Sequence, residues 1–252
     1  MPKRLNILTA CTALGLSLLN PIVQAEAGHW GYFGELGPSH WAELDPAYKT
    51  CGKGKSQSPI NLGLADHVRM PPPQFRYRSS TLEAINNGHT VQFNVEPGSQ
   101  LRFNDKLYEL KQFHFHTPSE HEVNSRQLAL EIHLVHQSSD GELAVVGVMA
   151  RPARRGHHAL KRLWDHLPEK KGSTNQAGGL RMNPITLLPF KRDFMTYEGS
   201  LTTPPCTEGV RWIVMREPLA VSDNQVETFT RLIGGNARPV QPLNDRKVVT
   251  NR

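Results

Sequence analysis

The chain has 252 residues, of which 38% are hydrophobic and 21% are charged, and its formal net charge is +6. This composition is typical of a globular protein rather than of a disordered chain, and no apolar stretch reaches the length of a bilayer-spanning helix. The basic residues are scattered apart from a short cluster at Arg151, Arg154 and Arg155, and no aromatic residues are interleaved with them. We therefore expect a solvated basic surface and no nucleic-acid partner.

The first 25 residues predict a cleaved secretory signal. Lys3 and Arg4 precede a mostly apolar run over residues 5–19, and small residues follow. This order is typical of an export signal, so we expect cleavage near residues 25–27, a mature chain of residues 26–252, and a periplasmic or secreted protein. A buried N-terminal helix is the alternative.

Export would leave two cysteines in the mature chain. Cys11 falls inside the predicted signal, and lipidation there is not expected because the apolar run continues beyond it. A bridge in the mature chain must then join Cys51 to Cys206, and an oxidising compartment permits it. A pair of free buried thiols is the alternative.

The remaining sequence predicts a mixed but sheet-dominated fold. Apolar and polar residues alternate over residues 91–95 and again over residues 128–134, which predicts strands. Nearly continuous apolar sequence over residues 143–150 and 212–215 predicts strands that are buried on both faces. The consecutive prolines at residues 71–73 cannot occupy a central strand.

Few helices are predicted. A short one covers residues 159–167. Another follows Ser222, which forms a capping box with Gln225, and the glycine at Gly234 ends it. Because no repeat or linker divides the mature chain, we expect a single domain around one large sheet.

Two histidines share one face of a predicted strand. Residues alternate in direction along a strand, so His114 and His116 point one way while the phenylalanines beside them point the other. His133 lies on the polar face of a second predicted strand. Side by side, the two strands would bring three neutral imidazoles to one metal ion and leave a fourth position open, as zinc enzymes require.

Other residues would support these imidazoles. Gln112 and Glu131 each lie two residues before a histidine on the same strand face, where a side-chain oxygen can orient the ring as a hydrogen-bond acceptor. His121 and His136 are expected to be buried structural histidines rather than ligands. A histidine pair on a strand is by itself a weak signal, because the chain contains 12 histidines.

From His29 to Arg246 the chain resembles the alpha-class carbonic anhydrases, and in particular their bacterial exported branch. The resemblance is carried by runs that occur in the family's order and are highly specific in combination: HWGY at 29–32, QSPINL at 57–62, NNGH at 86–89, QFHFH at 112–116, SEH at 119–121, ELAVVG at 142–147, GSLTTPP at 199–205 and RPVQPLN at 238–244. It implies a large, twisted, mostly antiparallel sheet with zinc at the base of a conical cleft. It also implies reversible hydration of carbon dioxide to bicarbonate by attack of zinc-bound hydroxide.

The resemblance further implies a role for each matching residue. His114, His116 and His133 would bind zinc, Thr202 with Glu120 would orient the hydroxide, and His89 would carry protons to bulk solvent. The substrate pocket is implied at six positions, namely Val135, Val145, Leu201, Thr203, Val210 and Trp212. Tyr32 and Asn87 would support the water network, and Cys51 and Cys206 match the disulfide of secreted members.

The chain departs from the animal members of the family beside the metal site. Thr117 replaces a tryptophan, and only three residues separate His116 from Glu120, which points to the bacterial branch. Bacterial relatives suggest a homodimer, although no interface stripe in the sequence indicates one.

Two other functions compete with this interpretation. A catalytically silent relative that binds a partner is the alternative, but such proteins usually lose a zinc ligand and this chain retains all of them. A zinc protease is excluded, because Ser125 occupies the position where an HExxH motif needs its second histidine.

Overall fold

One sheet organises the part of the chain that is described, which in this computed structural model comprises residues 28–175 and 180–251. The predicted signal segment and Cys11 lie outside the described residues. The strands of the sheet are β1 (Asp66–His67), β2 (Gln74–Arg76), β3 (Ser80–Asn86), β4 (Val91–Val95), β5 (Gln100–Phe103), β6 (Lys106–His116), β7 (Leu130–Ser138), β8 (Leu143–Pro152), β9 (Thr174–Asn175), β10 (Arg181–Met182), β11 (Phe194–Ser200), β12 (Glu208–Val221) and β13 (Val249–Thr250).

The sheet is mixed and mostly antiparallel, as predicted. Its strand order is β1-β13-β11-β12-β8-β7-β6-β4-β3-β10, with β5 also pairing to β6, β2 to β5 and β9 to β3. Among the described residues, the parallel pairs are β1 with β13 and β8 with β12. The prolines at 71–73 lie between β1 and β2, outside any strand.

Strand β7 begins two residues later than the apolar alternation indicates. The backbone of Leu128 bonds to Ser119 instead of to a neighbouring strand: its N–H donates to the Ser119 hydroxyl at 2.8 Å, and its carbonyl accepts from the Ser119 N–H at 2.9 Å. Leu128 therefore fastens the connection that follows β6, and regular pairing starts at Leu130.

The helices are short. They are α1 (Trp41–Leu44), α2 (Thr50–Lys53), α3 (His158–Trp164) and α4 (Asp223–Ile233), with 3-10 turns at Gly34–Leu36, Pro46–Tyr48 and Pro184–Leu187. The predicted capping box of α4 is present, and Gly234 ends the helix with a φ of 86°. Helix α3 ends at Trp164 rather than at Leu167, because Pro168 has no N–H to donate to the Trp164 carbonyl and its ring would clash with that carbonyl in a helix. In the described ranges, no helix is long and apolar enough to cross a bilayer.

The sheet buries a different apolar layer on each face. On one face, Ile132 and Leu134 pack with Leu160 of α3 and Phe229 of α4. On the other face, a second layer contains Trp212 and its apolar neighbours. The two stretches predicted to be buried on both faces are correctly identified, since residues 144–150 of β8 and 212–215 of β12 are all buried.

A disulfide ties the N-terminal segment to the sheet. It joins Cys51 of α2 to Cys206, which are 155 residues apart, and confirms the bridge rather than free thiols. Both cysteines pack in a small cluster with Trp41 and Tyr48. The connection between β11 and β12, which contains Thr202, is thereby fixed to the N-terminal segment.

Candidate metal centre and active site

The three predicted ligands meet on one face of the sheet. His114 of β6 is paired directly with His133 of β7, and His116 lies two residues further along the same face of β6. One nitrogen atom from each ring lies within 4.8 Å of the other two. Antiparallel pairing therefore brings together residues that the sequence separates.

The hydrogen bonds of the rings identify which nitrogen of each can bind a metal. His116 Nδ1 lies 2.7 Å from the carbonyl oxygen of Asn236, which can only accept, so Nδ1 carries the proton. His114 Nδ1 likewise donates to the side-chain oxygen of Gln112 at 2.8 Å. The lone pairs of both residues are then on Nε2, and Nε2 of His116 is buried without a hydrogen-bond partner.

His133 presents its other nitrogen. Its Nε2 lies 3.1 Å from a carboxylate oxygen of Glu131, an ion-pair contact whose angle is not that of a hydrogen bond. Because a carboxylate can only accept, a proton on Nε2 facing Glu131 leaves the lone pair on Nδ1. Burial lowers the pKa of all three imidazoles, in His116 to about 4. Neutral imidazoles that lie close together and are shielded from solvent are what a metal ion requires.

Glu131 is held by a buried chain of hydrogen bonds. Its carboxylate accepts from His121 Nδ1 at 2.7 Å and from the His121 backbone N–H at 2.8 Å. His121 Nε2 lies 2.7 Å from the Tyr197 hydroxyl, which lies 2.8 Å from that of Ser58. Burial raises the pKa of Glu131, but His121 and His133 outweigh it and hold this pKa well below its usual value. Buried His121 thus positions the carboxylate that positions His133.

The same carboxylate explains a glycine in β8. A Cβ on Gly147 would lie 2.9 Å from Glu131 Oε1, closer than real contacts allow. Glu131 also forms a second potential metal group with His121 and His133, but its oxygens are already engaged by His121. The histidine triad is therefore the better metal site.

A second buried carboxylate lies beside the triad. Glu120 is fully buried, and its oxygens are 3.5 Å from His116 Nδ1 and 3.8 Å from His133 Nδ1. Burial raises its pKa to about 7, against the opposing effects of His133 and of a hydrogen bond from Thr202. Thr202 itself is buried. The pair predicted to orient the nucleophile is thus in contact.

The predicted substrate wall is a continuous apolar surface beside His133. Trp212 lies edge-on to the His133 ring, with centroids 4.8 Å apart. Five of the six predicted pocket residues belong to this cluster or pack against it, namely Val135, Val145, Leu201, Val210 and Trp212. Thr203 is half-buried in the adjoining turn, where its carbonyl accepts from the Cys206 N–H at 2.8 Å.

His89 lies in the turn between β3 and β4. The Asn87 side chain accepts from the His89 and Thr90 N–H groups, both at 2.9 Å, so Asn87 fastens this turn. The His89 ring stacks on Trp30 with centroids 3.8 Å apart, and burial followed by the charges of Lys171 and His29 lowers its pKa. The imidazole is half-buried and reaches solvent.

Tyr32 packs against Trp30, the residue on which His89 stacks. Its ring meets Trp30 edge-on at 5.6 Å. Burial, and then the charge of Glu120, raise its pKa well above the usual value, so the hydroxyl is protonated at neutral pH.

Sequence reasoning missed Asn236. This fully buried residue accepts from His116 through its backbone, and its side-chain NH2 donates to the carbonyls of His89 and Phe115, both at 2.9 Å. Its side-chain oxygen accepts from the Thr117 N–H at 2.8 Å. Asn236 therefore joins the metal-site strand to the His89 turn, and nothing in the local sequence pattern indicates this.

Arg238 was also missed, although it lies in one of the runs that carry the resemblance. Its backbone N–H donates to Glu120 at 2.9 Å. Its buried guanidinium donates to the Ser58 carbonyl at 2.7 Å and to the Cys51 carbonyl at 2.8 Å. Burial lowers its pKa to about 10, so it stays charged at neutral pH. Arg238 links the disulfide region to the carboxylate beside the triad.

Comparisons with known proteins agree with this geometry. Residues 36–252 match the family model described as eukaryotic-type carbonic anhydrase. A carbonic anhydrase of Nostoc sp. is 40% identical, with 98% of this chain and 96% of the relative covered, and one from Neisseria gonorrhoeae is 37% identical, with 98% of each covered. The alpha-carbonic anhydrase of Thermovibrio ammonificans, solved with the inhibitor sulfanilamide, superposes with a TM-score of 0.86 at 42% identity, covering 89% of this chain and 100% of that one. The chain therefore belongs to the eukaryotic-type, or alpha, carbonic anhydrase family of enzymes.

Proposed function

We propose that this enzyme catalyses the reversible hydration of carbon dioxide to bicarbonate and a proton, with zinc held by His114, His116 and His133. The observation that carries the proposal is the convergence of three neutral imidazoles, with the Nε2 of His116 buried and without a hydrogen-bond partner among the described residues. Three nitrogen ligands with one open position suit catalytic zinc. Zinc bound there would acidify a water to a pKa of about 7, a value known from carbonic anhydrase itself and not worked out from this chain.

Thr202 and Glu120 orient the nucleophile. A carboxylate can only accept, so the hydrogen bond between them uses the Thr202 proton. The Thr202 oxygen is then left as an acceptor, which fixes the direction of an oxygen nucleophile beside His133 and His116. Such fixed geometry raises the rate because the orientation no longer has to be found in each turnover.

The wall around Trp212 receives the substrate. Carbon dioxide is small and has no net dipole, so an apolar surface binds it better than it binds water. Val145, Val210 and Trp212 are almost fully buried and form a rigid surface beside His133. We expect this wall to hold the carbon atom near the oriented nucleophile while admitting little water.

His89 carries the released proton to bulk solvent. An imidazole can accept a proton and release it within one turnover, and the lowered pKa of His89 favours the release. The ring is half-buried in a turn and stacks on Trp30, which also contacts Tyr32, a residue whose pKa is affected by the charge of Glu120. We expect His89→Ala to lower turnover in weak buffer and added imidazole to restore it. Unchanged turnover in weak buffer would contradict this role.

The decisive experiment measures carbon dioxide hydration before and after a chelator removes the metal, and again after zinc is restored. Activity should disappear and return. His116→Asn should lose both zinc and activity, whereas His158→Asn, at an exposed histidine of α3, should lose neither. A folded, zinc-loaded protein with no hydration activity would favour the alternative, a catalytically silent binding domain.

The mature enzyme is proposed to comprise residues 26–252 after export to the periplasm or beyond. The Cys51–Cys206 bridge supports this, because disulfides persist in oxidising compartments. N-terminal sequencing of protein from its native compartment should begin near residues 25–27, and an intact Met1 would contradict export. We also propose a homodimer by analogy with bacterial relatives, and a monomeric mass by light scattering would refute it.

A further inference from the structure

A strongly basic surface lies on the side of the sheet away from the triad. It is defined here as the basic face and consists of Arg154, Arg155, His158, Lys161, Arg162 and Arg181, all exposed. Helix α3 buries Leu160 and Leu163 in the apolar layer that faces away from the metal site. Positions 158, 161 and 162 therefore point outward from that side of the molecule.

The positive charge of this face is little neutralised by the protein. Its five arginine and lysine residues carry five positive charges, against a formal net charge of +6 for the whole chain. In the part of the chain that the structure describes, the ion pair on this face joins Lys161 to Asp165 at 3.3 Å. Asp223 and Glu227 are exposed on the neighbouring helix α4 and reduce the charge without removing it.

Two arginines of the basic face are held in place around a cleft. Arg162 Nη2 donates to the Arg181 carbonyl at 3.0 Å, and Arg181 Nη2 donates to the Ser79 carbonyl at 3.1 Å. These acceptors are neutral, so both guanidinium groups keep their charge and spare donors. With His157 and His158 they line a cleft of about 270 Å³. A cleft with this lining suits a phosphate group, which arginine recognises through paired N–H donors.

We propose that the basic face docks this enzyme on a membrane surface rich in anionic phospholipid, with a headgroup phosphate in the Arg162–Arg181 cleft. Charge complementarity supports the partner, and the disulfide favours a compartment in which lipid phosphate, rather than nucleic acid, is the abundant polyanion. Docking through α3 leaves the opposite face of the sheet, with the triad, turned toward solvent. The proposal is independent of the reaction chemistry.

Sedimentation of the purified protein with lipid vesicles tests the proposal. We expect binding to phosphatidylcholine vesicles containing one-third phosphatidylglycerol, weaker binding as salt rises, and none to phosphatidylcholine alone. Each cation near an anionic surface contributes about fivefold to the partition coefficient, so Arg154→Gln with Arg155→Gln should lower it about 30-fold.

The matched control is Lys53→Gln with Lys55→Gln, which removes the same charge from exposed positions beside the disulfide. It should leave vesicle binding unchanged, and both double variants should keep full hydration activity in solution. Equal binding to neutral vesicles, or an equal loss in the two double variants, would overturn the proposal. Binding of inorganic phosphate or of duplex DNA without binding to anionic vesicles would overturn it as well.

Discussion

Asn236→Ala tests whether one buried amide holds the metal-site strand to the proton-transfer turn. The substitution removes three hydrogen bonds, two from the side-chain NH2 to the carbonyls of His89 and Phe115 and one from the Thr117 N–H to the side-chain oxygen. The Phe115 carbonyl keeps a bond from the Thr90 hydroxyl at 2.7 Å, and the half-buried His89 turn can recruit water. The Thr117 N–H has no such replacement.

The expected cost follows from that difference. A buried donor left without a partner costs about 1–3 kcal/mol, and each of the other two bonds contributes about 0.5–1.5 kcal/mol net. We expect the free energy of unfolding to fall by about 3 kcal/mol, which lowers the melting temperature by about 6–12 °C for a chain of this size. Turnover in weak buffer should fall too, because the His89 carbonyl loses its anchor.

Denaturant unfolding of the variant and the parent measures this cost. Asn175→Ala is the control, since Asn175 makes one long side-chain bond, 3.3 Å to the His166 carbonyl, and is only half-buried. That control should lose less than about 1 kcal/mol. If Asn236→Ala lost no more than the control, the amide would not be holding the two segments together.

Three further perturbations follow from the same structure. Replacing Cys51 and Cys206 by serine opens a loop of 155 residues. The chain-entropy model predicts that the free energy of unfolding falls by up to about 5 kcal/mol. A melting temperature equal to that of the oxidised parent would refute this expectation. Glu131→Gln removes the carboxylate facing His133 and should weaken zinc binding about 10–100-fold in competition with a chelator, whereas Glu83→Gln at a distant strand should not. Burial lowers the pKa of His136 from 6.5 to about 4, so the folded state disfavours its charged form. Neutral His136 therefore makes its full contribution to the free energy of unfolding above pH 6.5, and this contribution falls by about 3 kcal/mol as the pH drops to 4. His136→Gln should make the unfolding free energy flatter over that window, and an unchanged pH dependence would count against this assignment.

The sequence predicts the faces of the strands better than their register. Alternation alone indicates that His114 and His116 share a face and that β8 is buried on both sides. It does not indicate that His114 is opposite His133, because that pairing depends on an irregularity between Leu110 and Gln112 that shifts the register of β6 against β7. The resemblance to a family provided the ligand set, and the geometry of the sheet explains it.

Residues whose contacts lie far away in the sequence could not be predicted from the local sequence pattern. The contacts of Asn236 and Arg238 with the metal-site region span 118 to 121 residues and come from an irregular loop after α4. Such a loop has no periodicity, so its position depends on where α4 packs against the sheet. The early end of α3 is a different case, because Pro168 is visible in the sequence and acts on the carbonyl four residues before it.

The alternation of residues 113–116 also favours the correct register of β6. Phe113 and Phe115 fill the apolar layer, while the histidines between and after them point to the metal. If β6 slipped by one position, two imidazoles would enter a layer without partners for them and two phenylalanine rings would be exposed on the opposite face. A misaligned strand is thus penalised on both sides of the sheet at once, even before any metal binds.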